Sequence, residues 1–147
     1  MTTQIVIIAD IHGNIWALDA VLKDIERRGI GHVVNLGDSL YGSLEWAATA
    51  DRLMKSNIVS ISGNQDVEIH APTEAIQKSA DHQRAMRELS AEHIYWLAAL
   101  PFTYVVDEVF CCHGTPTSDT TYMLEKVTLQ GVFLNDSASI LGHLHGV

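Results

Sequence analysis

The sequence predicts an α/β fold built on parallel strands. Short apolar runs alternate with polar turns and amphipathic helical stretches through the first half of the chain. Strand, turn and helix repeated in that order favour parallel strands joined by right-handed helical crossovers. Three successive strand-like runs also finish in compact polar clusters, Asp10-x-His12, Gly37-Asp38 and Gly63-Asn64. In open sheets of this kind ligands gather at the carboxyl ends of the strands.

Residues 4–9 (QIVIIA) form an almost wholly apolar run, rich in Ile and Val, which suits a strand buried on both faces. Ile15, Leu18, Val21, Leu22 and Ile25 then recur at helical spacing, with Lys23, Asp24, Glu26, Arg27 and Arg28 on the wet face and Gly29 as a stop. Residues 32–36 (HVVNL) read as a second strand, and Ser43 as the cap of a helix running to about Lys55. Residues 58–61 (IVSI) read as a third strand, ending in the 62–66 turn. From Pro72 to Leu100 the pattern is helical, with Thr73 and Ser90 as caps, an apolar stripe of Ile94, Leu97 and Leu100, and Pro101 as the stop. Thr103 to Val106 and Val109 to Cys112 make a hairpin around Asp107-Glu108 that delivers His113-Gly114. Repeats, low-complexity tracts and linkers are absent from the sequence, so residues 1–147 read as a single domain.

Composition narrows the functional classes. Nine basic against 18 acidic side chains give a formal net charge of −9. That balance disfavours nucleic acid and anionic membranes as partners. It leaves room for an anionic substrate if bound cations reverse the local sign. The sequence has neither a long apolar span nor a signal peptide, so a cytoplasmic location is expected. Homo-oligomerisation is compatible with the sequence. Cys111 and Cys112 are adjacent, a spacing at which a bridge would be strained, and they read as small buried residues.

The candidate chemistry lies at the strand ends. On extended backbone Asp10 and His12 would share one face and offer an oxygen and a nitrogen to a transition metal. Asp38, from the neighbouring strand, has two oxygens and can bridge two cations. Asn64 adds a neutral oxygen and His113 a second imidazole. Any one of these is commonplace; four groups at four strand ends are not.

Asp10-Ile-His12-Gly-Asn, Gly37-Asp38, Gly63-Asn64-x-Asp66 and His113-Gly114 resemble, in order, the motifs of the calcineurin-like metallophosphoesterases. The turn Cys112 to Pro116 is similar to that of small bacterial members. The resemblance implies a sandwich of two mixed sheets flanked by helices, and a centre of two divalent cations such as Mn, Fe or Zn. By that analogy Asp10, His12 and Asp38 hold one metal and Asp38, Asn64 and His113 the other, with Asn64 and His113 also counted among the catalytic residues. The implied activity is hydrolysis of a phosphomonoester or phosphodiester by a hydroxide shared between the two metals.

Two departures qualify this expectation. The family often has His after Gly-Asn, where it can protonate the leaving oxygen, but here the residue is Gln65. Loss of a general acid typically costs 10²–10⁴-fold. The family also closes its site with Gly-His-x-His. Gly142-His143-Leu144-His145 fits that string, but Ser137, Ile140, Leu141 and Leu144 fit a helix slightly better. Either way the chain reads as ending before the family's last strands. The rival function is a binding or scaffold module that kept the fold without the chemistry. A nuclease is weaker, for want of a basic stripe.

Overall fold

The computed structural model describes residues 4–144. Its first half is the expected alternation. Strand β1 (Ile5–Ile8) leads to helix α1 (Ile15–Arg27), β2 (His32–Asn35), α2 (Trp46–Met54) and β3 (Val59–Ser60). The three strands form one parallel sheet in the order β1-β2-β3. Ile5 is level with His32, Ile8 with Asn35, and Asn35 with Ser60. All three therefore finish at the same edge, which is where the polar clusters begin.

Four short helices follow: α3 (Asn64–His70), α4 (Glu74–Gln77), α5 (Ala80–Glu88) and α6 (Ala91–Ala98). Thr73 and Ser90 cap α4 and α6 as expected, each accepting from the backbone N–H three residues on. The main core lies among these helices and α2, where Leu40, Trp46, Ile69, Ala85 and Leu97 are all but inaccessible. Leu97 sits in this cluster with Ile94, Trp96 and Leu100 against it, while Tyr95 faces solvent. His93, buried on α6, reaches Asp51 on α2 at 3.0 Å and so ties two core helices together.

The second half holds the hairpin of β4 (Thr103–Val106) and β5 (Val109–Cys112), in which Val106 pairs with Val109. A second hairpin follows, β6 (Glu125–Thr128) and β7 (Gly131–Leu134), then helix α7 (Ser137–Gly142). The α/β class stands. Among the described residues its strands group as one parallel sheet and two antiparallel pairs. No helix of the described residues is long and apolar enough to cross a membrane.

Several expectations need correction. Among the described residues β1 lies at the edge of its sheet and is not buried on both faces, since Ile7 stands 44% exposed. The cap of α2 is Glu45, not Ser43, and its side chain makes no capping bond. Residues 40–44 are drawn back instead, with Trp46 Nε1 donating to the Gly42 carbonyl at 2.8 Å and Arg84 donating to the carbonyls of Gly42 and Leu44. The 62–66 segment opens a helix rather than ending in a turn. Helix α7 is capped by Asp136, whose Oδ1 accepts from Ser139 N at 2.9 Å, rather than by Ser137, the cap the sequence suggests. Gly142 closes α7 and His143 is its C-cap, which supports the helical alternative up to that point; His145 lies outside the described residues.

Candidate metal centre

β1 ends two residues before Asp10, and the extended geometry expected for Asp10 and His12 is not what brings them together. Both lie in the left-handed region, with φ 53° and 48°, and Asp38 joins them at 53°. Such values cost a non-glycine residue on the order of 1 kcal/mol or more and cluster where function over-determines the backbone. The conformation is held by ladder-like bonds across the two loops: Asp10 N donates to Gly37 O, His12 N to Asp38 O and Gly13 N to Ser39 O, at 2.9–3.1 Å. The β1 and β2 loops thus continue the parallel pairing past the strand ends and turn together.

This turn gathers the ligand-type atoms. Asp10, His12 and Asp38 each place one donor atom within 4.8 Å of the others. His12 Nε2 lies 3.7 Å from Asp10 Oδ1, and His113 Nε2 lies 3.7 Å from Asp38 Oδ1. His113 Nε2 is also 3.2 Å from Asn64 Oδ1. All five residues picked out from the sequence therefore line one cleft of ≈ 540 Å³. Asp38 stands between the two halves of the set, near Asp10 and His12 in one group and near His113, with its partner Asn64, in the other.

Both imidazoles are oriented from behind. His12 Nδ1 lies 2.6 Å from the Tyr41 carbonyl, and His113 Nδ1 lies 2.9 Å from the Leu36 carbonyl. A carbonyl only accepts, so Nδ1 is the donor in each ring and Nε2 is the nitrogen turned toward the cleft. That is the arrangement in which a metal-binding histidine is fixed by its outer partner. The buried histidines His93 and His82 are placed differently: His93 bonds Asp51, and His82, on α5, does not line the cleft.

Asp38 is almost completely buried. Burial raises its pKa, while the Gln65 backbone N–H, donating to Oδ1 at 3.0 Å, and nearby His113 oppose the rise. A buried carboxylate with few compensating partners favours a cation beside it. Mixed oxygen and nitrogen donors of this kind suit first-row divalent metals.

Glycines make the close approach possible. A Cβ on Gly63 would meet the Asp38 amide nitrogen and carboxylate, and one on Gly37 would meet the Gly63 backbone. The β2 and β3 loops are thus in contact backbone to backbone, which only glycine permits.

One structural residue of the site had no role assigned from sequence. Asp66, fully buried on α3, accepts from Ser39 N and Gly63 N, both at 3.0 Å. It clamps the loop of Asp38 to the loop of Asn64. Burial pushes its pKa up to about 6, against the backbone N–H groups that lower it. Its signal was present in Gly63-Asn64-x-Asp66, where an acid on the third helical residue can reach back to the cap N–H. Asp66→Asn leaves one of these N–H groups facing an NH₂ instead of an oxygen. The expected loss is about 2–3 kcal/mol in urea unfolding, because a charge-assisted bond is lost and a donor is left unpaired. An unchanged midpoint would show that the clamp contributes nothing.

The fold and the centre define a class: an α/β domain presenting a carboxylate, imidazole and carboxamide set at the ends of parallel strands. The chain belongs to the calcineurin-like phosphoesterase superfamily, whose domain matches residues 3–147. It is similar to the crystal structure of a metallophosphoesterase from Sphaerobacter thermophilus, at a TM-score of 0.69 and 27% identity, covering 82% of this chain and 51% of that one. It shares its fold with the crystal structure of a candidate diadenosine tetraphosphatase, at a TM-score of 0.63 and 19% identity, over 91% of this chain and 64% of that one. A curated relative, the uncharacterised protein MJ0912 of Methanocaldococcus jannaschii, is 38% identical over 64 residues, or 44% of this chain and 26% of the relative. The chain thus spans about a quarter of that relative's length, and between half and two thirds of the two structures.

Proposed function

We propose that this chain is a metal-dependent phosphoesterase that hydrolyses a phosphomonoester or phosphodiester at a centre of two divalent cations. The observation that carries the reading is the pair of histidines, His12 and His113, each turned by a backbone carbonyl, His12 with its Nε2 toward Asp10 in a group with Asp38 and His113 with its Nε2 toward the buried Asp38. Asp10, His12 and Asp38 would hold one cation, and Asp38, Asn64 and His113 the other. Divalent cations held there supply Lewis acidity toward a phosphoryl oxygen and toward water.

The protein's own groups do the rest. Asp38 supplies negative charge at the midpoint and is kept in place by Gln65 N–H. Asn64 and His113 add ligand-type atoms to the cleft without adding negative charge to it. Gln65 follows Asn64 in the first turn of α3 and lines the same cleft. Its carboxamide can donate a hydrogen bond to a departing oxygen but cannot surrender a proton, so good leaving groups are favoured.

The basic test is turnover of para-nitrophenyl phosphate and its bis ester with added Mn²⁺, against the metal-free chain. Gln65→His then probes the leaving-group role. Alkoxide leaving groups need protonation and nitrophenolate hardly does, so kcat/KM should rise about tenfold or more for an alkyl phosphate and change little for the nitrophenyl ester. Equal changes in both would place the leaving group elsewhere. Gln65 also favours a second reading, a domain that binds phosphate esters without turning them over; metal-loaded protein inactive on both nitrophenyl esters would establish that reading instead.

A further inference from the structure

The cleft of the metal centre has a second wall that the ligand set does not use. The loop that follows His113 supplies it, with Gly114, Asp119, Thr120, Thr121 and Tyr122 all lining the cleft. This loop is fastened from within. Thr115 is fully buried and exchanges backbone bonds with Ser118 at 2.8 and 3.3 Å, while its hydroxyl donates to the Ser118 carbonyl at 3.2 Å. A Cβ on Gly114 would meet the carbonyl oxygens of Ser118 and Thr121, so the loop backbone lies against the residue next to His113. The loop's hydroxyls are spent on one another: Thr121 donates to Ser118 Oγ at 2.9 Å, and Ser118 Oγ lies 3.3 Å from Thr120 Oγ1.

What the anchored loop leaves open is the aromatic residue at its end. Tyr122 lines the cleft and is 64% exposed, and among the described residues its ring pairs with no other aromatic ring. It is the largest side chain on the cleft wall. The charge of the walls narrows its role. Among the described residues Asp10, Asp38 and Asp119 line the cleft and no lysine or arginine does. Cations at the centre would meet the scissile phosphoryl group, but no wall side chain would meet a second anionic group. The remainder of a substrate is therefore held by non-ionic contact, for which an exposed ring offers area and a face for stacking. Gln65 adds an independent constraint from the opposite wall, since it cannot protonate a departing oxygen. A phenolate leaves without that proton far more readily than an alkoxide.

We propose that Tyr122 is a stacking platform for the aromatic ring of the leaving group, and that this site takes phosphate esters of phenols in preference to esters of aliphatic alcohols. The proposal rests on the phosphoesterase reading and names its substrate class. The oxygen of water forms the new bond to phosphorus as the bond to the aryl oxygen breaks. The electron pair departs on the phenolate, which takes its proton from solvent. The ring of such an ester is joined to phosphorus through one oxygen, so it stays within the cleft that Tyr122 walls.

Phenylphosphonate and cyclohexylphosphonate match in ring size and charge, resist hydrolysis and differ in aromaticity, so their binding isolates the platform. In calorimetric titrations of the Mn²⁺-loaded chain the phenyl compound should bind roughly threefold to tenfold more tightly. Tyr122→Leu should bring the two to within about twofold, and Tyr122→Phe should keep the preference. Equal affinities in the parent chain, or a preference that survives in Tyr122→Leu, overturns the proposal and leaves the phosphoesterase reading standing. If neither phosphonate binds, both fall. The substrate class is read from turnover: kcat/KM for phenyl phosphate should exceed that for cyclohexyl phosphate by about a hundredfold or more. Tyr122→Leu should raise KM for phenyl phosphate with kcat nearly unchanged, as expected for a contact made equally before and during the reaction. Comparable turnover of the two esters, or a loss confined to kcat, overturns the assignment.

Discussion

Asp38→Ala should empty the centre of metal. Elemental analysis of the purified variant is expected to fall from about two divalent cations per chain to none, with nitrophenyl phosphate turnover dropping to the background rate. The size of the effect follows from position: among the described residues Asp38 is the carboxylate that lies between the Asp10–His12 pair and the Asn64–His113 pair. Loss of the fold would give the same result for a different reason. Asp38→Asn separates the two, because it keeps an oxygen for the Gln65 N–H while removing the charge. Metal content near two per chain in either variant would mean that the cations sit elsewhere.

Gly63→Ala is expected to damage stability and site together. Gly63 has φ −95° and ψ 169°, extended backbone that alanine adopts freely, so no conformational penalty applies. The penalty is steric, since the new methyl group would overlap the Asp38 amide and carboxylate. Overpacking against backbone costs about 1–3 kcal/mol, and this contact belongs at the upper end because neither backbone can rotate away. The relief available is displacement of Asp38 itself. Urea unfolding should show the loss, and metal affinity should fall in parallel. A variant with parental stability and full metal content would show that the two loops are looser than their packing indicates.

The parallel half of the fold was legible because its signals are local. Apolar runs of β-branched residues, Gly29 as a stop and the capping residues Thr73 and Ser90 all report on their immediate neighbourhood. That the five candidate residues meet in one cleft was legible for a related reason: short loops at strand ends keep Asp10, Asp38 and Asn64 close whatever their detailed conformation. Their backbone geometry was not. An aspartate in the left-handed region has no sequence mark, and the extended reading of Asp10-x-His12 failed because the β2 loop, far away in sequence, turns both residues. The carbonyls of Leu36 and Tyr41 that orient the imidazoles are invisible for the same reason, as backbone oxygens look alike in every sequence. The β6–β7 hairpin was missed because its apolar residues face outward. Val127, Val132, Phe133 and Leu134 are all exposed, so the half-buried alternation that identifies a strand is absent.

The left-handed conformations of Asp10, His12 and Asp38 bear on what could be transplanted from this domain. Copying three side chains onto the strand ends of another α/β scaffold would not reproduce the centre, because their directions are set by a backbone that an unsupported loop would abandon for a commoner conformation. The transferable unit is the paired turn: the β1 and β2 loops with their three cross-loop amide bonds, Gly37 and Gly63 in contact, and Asp66 as the clamp. A graft that carries those parts brings the ligand geometry with it, and one that omits the clamp inherits the residues without the site.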